Sequence, residues 1–327
     1  MPPPHETREV LYQGYAGHSL ISPEADLEAT FVPSVGMIGC SLTHRGDELL
    51  GQRGGLARYE ATGSTMGIPL LHPWANRLAG YTYTAAGRTV ELDRDSPIIH
   101  KDPNGLPIHG LLAASPYWRL VGTDADFTSA RLLAQLDFAA HPELLEGFPY
   151  PHEVRIEASL QGATLTITTA ITSRDESPVP IAFGYHPYLR LPDVPRDAWR
   201  VEIPVTEELV LDDRMIPTGE RRPVAIEPGE LGDRTFDNAY AAPLPPEPFV
   251  LAGGGRRISV ELAQGYPYAQ VYAPESDEVI CFEPMTAPTN ALASGHDLET
   301  VEPGGTRSAT FSITVAPHTV PGGDTAP

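Results

Sequence analysis

Apolar and polar residues alternate along most of this chain, and a period of two predicts β-strands. Val154, Ile156, Ala158 and Leu160 fall on one face. Beyond Gln161-Gly162, Leu165, Ile167 and Ile171 do the same, which predicts a hairpin with one buried side. A second hairpin is expected over residues 81–92 around Ala85-Ala86-Gly87. A third pairs 248–251 with 258–262 across Gly253-Gly254-Gly255. Near the end, Phe311, Ile313 and Val315 alternate with Ser312 and Thr314 in a last strand introduced by Pro303-Gly304-Gly305. Helical periodicity is confined to a short turn at 141–146. About twenty strand-like segments without a strand–helix–strand rhythm predict an all-β fold, a large antiparallel β-sandwich of two sheets packed face to face. No internal repeat is present, and strands on both sides of the proline-rich stretch 241–248 make it a surface loop rather than a linker. The whole of 1–327 therefore reads as a single domain, with 321–327 as a disordered tail.

Composition agrees. Of 327 residues 41% are hydrophobic, enough for an extensive core, and 35 prolines with 30 glycines spread along the chain suit many short strands and turns. The formal net charge of −21 repels phosphate backbones and anionic headgroups, so neither nucleic acid nor a membrane surface is an expected partner. Lys101 is the only lysine. Cys40 and Cys281 are far apart and form no CxxC pair, which argues against a disulfide framework or a structural zinc site. Residues 1–6 carry neither a basic nor an apolar leader pattern, and no stretch is long and apolar enough for a membrane span; the expectation is a soluble, cytoplasmic protein.

Candidate chemistry sits where polar residues interrupt apolar runs. Trp74, Asn76 and Arg77 share the loop-like stretch 67–78, and His109 directly precedes Gly110. His186 follows an apolar strand and precedes Pro187; Glu283 likewise stands between Phe282 and Pro284. A histidine and a carboxylate, each at the end of a buried strand and fixed by a proline, suit general acid–base work. The plain alternatives are a packed histidine, a surface salt bridge for Arg77, an Asx turn at Asp237-Asn238, a water-facing Gln270, and simple core for Trp74, Tyr185 and Tyr188. Glu283 resists such a reading, because an unpaired buried carboxylate is costly.

In combination these elements are more specific. Pro73-Trp74-Ala75-Asn76-Arg77, His109-Gly110, Gly184-Tyr185-His186-Pro187-Tyr188, Phe236-Asp237-Asn238, Gln270-Val271-Tyr272 and Phe282-Glu283-Pro284 occur in an order that resembles the aldose 1-epimerase (galactose mutarotase) family, over about residues 12–315. The resemblance implies the galactose mutarotase-like supersandwich and a sugar cleft on one concave sheet face. It implies His186 as general acid, Glu283 as general base and His109 as an accessory group near the ring oxygen. Asn76, Arg77, Asp237 and Gln270 match positions that hold sugar hydroxyls. His72 departs from the pattern, standing where the family often has Phe, and 285–296 is polar and short.

The implied reaction needs no cofactor and no metal. A hemiacetal opens when its C1 hydroxyl loses a proton and the ring oxygen gains one; rotation about C1–C2 and closure give the other anomer. Neither a Rossmann nor a P-loop fingerprint occurs, and the eleven histidines show no HxH or HExxH spacing. The expected partner is a small-molecule sugar, such as galactose or glucose, bound by a monomer or homodimer. Two alternatives share the scaffold: a hexose-phosphate mutarotase, disfavoured by the single lysine and the lack of an arginine cluster near the matched segments, and a non-catalytic carbohydrate-binding protein. A glycoside hydrolase would need a second carboxylate in a context like that of Glu283.

Overall fold

The computed structural model describes residues 3–318; the tail expected at 321–327 lies outside them. The first hairpin forms as the alternation requires. His152–Gln161 and Thr164–Ser173 pair antiparallel, turning at Gly162, and bury every second side chain. They sit inside a nine-stranded sheet whose order runs Gly229–Glu230, Arg200–Glu202, Phe249–Gly253, Arg256–Gln264, Thr306–Pro317, Thr164–Ser173, His152–Gln161, Ala130–Asp137 and Arg119–Ala125. The other two expected hairpins are present as Thr82–Ala85 with Arg88–Glu91 and as Phe249–Gly253 with Arg256–Gln264.

The second large sheet has eight strands, running from Pro217–Pro223 and Glu207–Leu211 through Phe236–Ala241, Tyr268–Ala273 and Ile280–Met285 to Gly184–Tyr185 and Leu70–Leu71. Tyr188–Leu189 joins it beside Ile280–Met285. Ala269, Val271, Ala273, Ile280 and Phe282 of this sheet join Ile156, Ile167, Phe311 and Ile313 of the nine-stranded sheet in one apolar cluster. The two sheets therefore share a core, as a sandwich does. A third, five-stranded sheet that the pattern did not separate is built from residues 6–48 and adds Leu20, Leu27, Phe31 and Leu42 to the same cluster.

Three local expectations are corrected. Asp237 and Asn238 lie within the strand Phe236–Ala241 and make no Asx turn; cross-strand bonding along Tyr268–Ala273 holds them extended. Glu283 is not at a strand end, since Ile280–Met285 continues through Pro284. Helix is not restricted to Pro142–Gly147, for Gly55–Thr62 and Ala291–Ser294 are also helical. Gly55–Thr62 buries only Leu56 and Tyr59, one turn apart, and lies between Gly54-Gly55 and Gly63-Ser64, so its sequence reads as turns.

Candidate active site

The two faces of the eight-stranded sheet have different fates. On Ile280–Met285, Ile280 and Phe282 point into the shared core, so the period of two sends Cys281, Glu283 and Met285 to the opposite face. Gln270 is the direct cross-strand neighbour of Glu283, and Tyr272 is that of both Cys281 and Asp237. Tyr185 likewise enters the core, bonding Thr169 at 2.6 Å, while the next residue, His186, takes the other face. A short apolar strand followed by His-Pro thus delivers an imidazole to the same surface as Glu283. Gly184 permits the close approach, because a Cβ there would strike the Pro284 carbonyl and the Ala75 methyl.

Two loops close over this surface. Trp74 is 1% exposed and bridges to Ala182, with the Ala75 N–H donating to the Ala182 carbonyl at 2.7 Å. That anchor fixes the next two residues, Asn76 and Arg77. The loop carrying His109 is tied to the first one: the His109 N–H donates to the Asn76 carbonyl at 2.9 Å. Asn76 (φ 56°) and His109 (φ 64°) both hold left-handed backbone, a strained state for a side-chain-bearing residue that clusters at functional sites.

His186, Glu283, His109, Asn76, Arg77 and Asp237 all line one cleft of about 530 Å³. The His186 Nε2 is 3.4 Å from the Glu283 Oε1, and the two residues are 5% and 1% exposed. The Glu283 Oε2 and the His186 Nδ1 are buried with no protein partner. The His109 ring meets that of His186 edge-on at 5.5 Å. Arg77 donates from Nε to Asp102 at 2.7 Å and from Nη1 to Asn76 at 3.0 Å, which fixes the guanidinium at the cleft wall. Gln270 is not part of the wall. It is buried behind Asp237, donating to its Oδ1 at 2.7 Å, with its own Oε1 unpaired.

Burial dominates the titration of these groups. It pushes the Glu283 carboxyl well above the ordinary 4.5, with Asp237 adding to the rise and Arg77 opposing it. It pushes His186 well below 6.5, helped by the nearby His109 and Arg53. His109 is lowered to about 3 by burial, then by Arg77 and His100, and is therefore neutral. Asp237 is raised by burial against the pull of Arg77 and Gln270.

Several residues of the cleft have little or no signature in the sequence. Tyr188, open to a core reading, stacks on His186 with ring centroids 4.3 Å apart and planes at 3°, its hydroxyl 3.2 Å from Nε2. That hydroxyl is held by Thr65 at 2.6 Å and by Arg53 Nη1 at 3.2 Å. Only the Gly-x-His-Pro-Tyr element hinted at Tyr188; Arg53 and Thr65 come from a distant segment. The cations are the larger surprise. Arg53, Arg58, Arg77 and Lys101, scattered in sequence, line the same cleft, so the arginine cluster that the linear segments lack is assembled by the fold. His72 lies outside the cleft wall. Its Nε2 is 2.8 Å from that of His152, both buried among Phe138, Phe148 and Phe183, which explains how a histidine occupies an aromatic position.

The fold is a β-sandwich with a buried histidine–glutamate contact in a polar cleft on one sheet. The aldose 1-epimerase family model matches residues 39–314, and the chain belongs to that family. Among curated proteins, the uncharacterized protein YihR of Escherichia coli is 25% identical over 260 residues, spanning 75% of this chain and 80% of that one. Among solved structures, a galactose mutarotase-like protein from Clostridium acetobutylicum superposes with a TM-score of 0.83 at 17% identity, covering 96% of this chain and 99% of the other. Galactose 1-epimerase from Lactobacillus acidophilus gives 0.75 at 14% identity, covering 96% and 100%. Likenesses at these identities establish the fold. No helix among the described residues is long and apolar enough to cross a membrane.

Proposed function

We propose that the protein is an aldose 1-epimerase that interconverts the α and β anomers of an aldose, with Glu283 as general base and His186 as general acid. The observation that carries this reading is the 3.4 Å contact between the two groups on the cleft floor. Mutarotation moves protons at two oxygens bonded to the same carbon, so its acid and base must stand side by side.

Burial disfavours charge on each partner, which favours the uncharged forms, the Glu283 acid beside a neutral His186. Shifting the Glu283 proton across the contact gives a carboxylate and an imidazolium, which Arg77 favours from the Glu283 side. The carboxylate then takes the C1 hydroxyl proton as the imidazolium protonates the ring oxygen. Ring opening returns the pair to its neutral form, and closure on the other carbonyl face reverses both transfers. Neutral His109 suits a hydrogen bond near the ring oxygen, and Asn76, Arg77 and Asp237 suit the sugar hydroxyls, with Gln270 holding Asp237 from behind.

Polarimetry of freshly dissolved α-D-galactose and α-D-glucose tests the reading. The expected result is acceleration above the buffer rate without added metal or nucleotide. Glu283→Gln and His186→Asn should each lower it by about 10²–10⁴-fold while still binding sugar. Full turnover by folded Glu283→Gln would remove the carboxylate from the mechanism; an active His186→Asn would move the acid role to His109.

A further inference from the structure

The cleft is more positive than the binding of a neutral sugar requires, and the exposed cations are at its mouth. The chain carries a formal −21, yet four of the residues lining the cleft are cationic: Arg53, Arg58, Arg77 and Lys101. Three carboxylates face them. Asp102 is paired to Arg77, while Glu283 and Asp237 have their ionisation opposed by burial. Two of the cations are already committed. Arg77 is bonded to Asp102 and Asn76, and Arg53 to Asp277, the Thr65 carbonyl and Tyr188. Arg58 and Lys101 are exposed and make no ion pair with a carboxylate among the described residues.

These two belong to one lip. Arg58 is in the helix Gly55–Thr62, and Lys101 follows His100. The two segments touch directly, because Gly63 packs so closely on the His100 ring that any Cβ would overlap it. The Thr62 and Ser64 side chains stand at the same edge of the cleft. Lys101 also bridges to Pro107, two residues before His109, so the lip is continuous with the wall of the acid–base site.

From this arrangement, and resting on the mutarotase reading above, we propose that the preferred aldose carries an anionic group, a phosphate or a carboxylate, at the end of the sugar remote from its anomeric carbon. With C1 at the His186–Glu283 floor, the far end of the ring points to the mouth. An anion there meets two uncompensated cations whose fields add at the mouth of the cleft. A neutral hexose leaves both cations unused.

The test measures anomer exchange by NMR for glucose, glucose 6-phosphate and glucuronic acid at low and high salt. Glucose 6-phosphate or glucuronic acid should exceed glucose in kcat/KM by about tenfold or more, the effect of roughly one charge-assisted hydrogen bond. Added salt should shrink the margin. Whichever of the two is preferred identifies the anion as phosphate or carboxylate. In the double variant Arg58→Ala with Lys101→Ala, the ratio of anionic to neutral kcat/KM should fall at least tenfold. Equal use of all three sugars, or a ratio unchanged in the double variant, overturns the proposal and leaves the mutarotase reading standing. If no sugar is turned over, the mutarotase reading fails, and calorimetry with glucose 6-phosphate and glucuronic acid decides the lip separately. Binding of either that is lost in the double variant supports the lip, and no binding of either sinks it.

Discussion

The nine-stranded and eight-stranded sheets obey the same alternation and use it for different ends. In the nine-stranded sheet one face is core and the other meets solvent. Thr164, Thr168 and Thr172 pair hydroxyl to hydroxyl with Thr314, Thr310 and Thr306 along its outer side. In the eight-stranded sheet part of the second face is also buried, and that part holds Gln270, Glu283 and His186 with loops and a helix over them. A polar residue on a solvated face costs nothing to keep; a carboxylate on a covered face must be partnered or used. The contrast separates residues that make the fold from the residues to which chemistry is proposed.

Substituting one residue on each of these two buried faces should split those roles completely. Glu283→Gln is expected to lose about 10²–10⁴-fold in turnover with the fold intact. Ile167→Ala, in the fully buried interior face of the nine-stranded sheet, should leave the cleft chemistry unchanged and destabilise the protein by about 2–5 kcal/mol through lost burial and a cavity. Turnover by polarimetry and unfolding by denaturant read the two effects independently. A catalytic defect in Ile167→Ala, measured well below its unfolding midpoint, would break the division.

The fold was legible because alternation is written residue by residue. Val154 to Leu160 and Phe311 to Val315 carry their buried face in the sequence itself. Glu283 and His186 were legible for the opposite reason, as polar residues that violate an apolar run. Strand ends were not, since nothing in Phe282-Glu283-Pro284 says that the strand continues through the proline. Arg53, Thr65 and the lip of Arg58 and Lys101 were illegible as a group, because each is ordinary alone and acquires its meaning only from neighbours far away in the chain. The family resemblance supplied the candidate site residues and could not supply this lip.

The titration of Glu283 sharpens the comparison further. Its native pKa is raised above the unfolded value near 4.5, so the folded state binds the proton more tightly than the unfolded chain. Stability from this group is complete below about pH 4.5 and is lost as pH rises towards the native pKa. His186 acts in the opposite sense: its lowered native pKa contributes stability above about 6.5 that is lost as pH falls. Glu283→Gln removes only the first effect. Its melting temperature should therefore gain on the native protein as pH is raised from about 4.5 towards the raised native pKa, with no gain developing below 4.5. A difference that stays constant across that range would mean that the carboxyl ionises as freely in the cleft as in water.

The smallest expected effects come from two adjacent threonines on opposite faces of one strand. Thr168 looks outward and shares a 3.0 Å contact with Thr310. Water can replace either hydroxyl, so Thr168→Val should change stability by no more than about 0.5 kcal/mol. Thr169 looks inward, is 0% exposed, and is 2.6 Å from the Tyr185 hydroxyl. Thr169→Val leaves that hydroxyl buried without its partner, which should cost about 1–3 kcal/mol. Because Tyr185 precedes His186, the inner variant should also disturb the imidazole and lower turnover, whereas the outer one should not. If both valines behaved alike in unfolding and in turnover, the core-facing hydroxyl pair would have no part in holding the strand that presents His186.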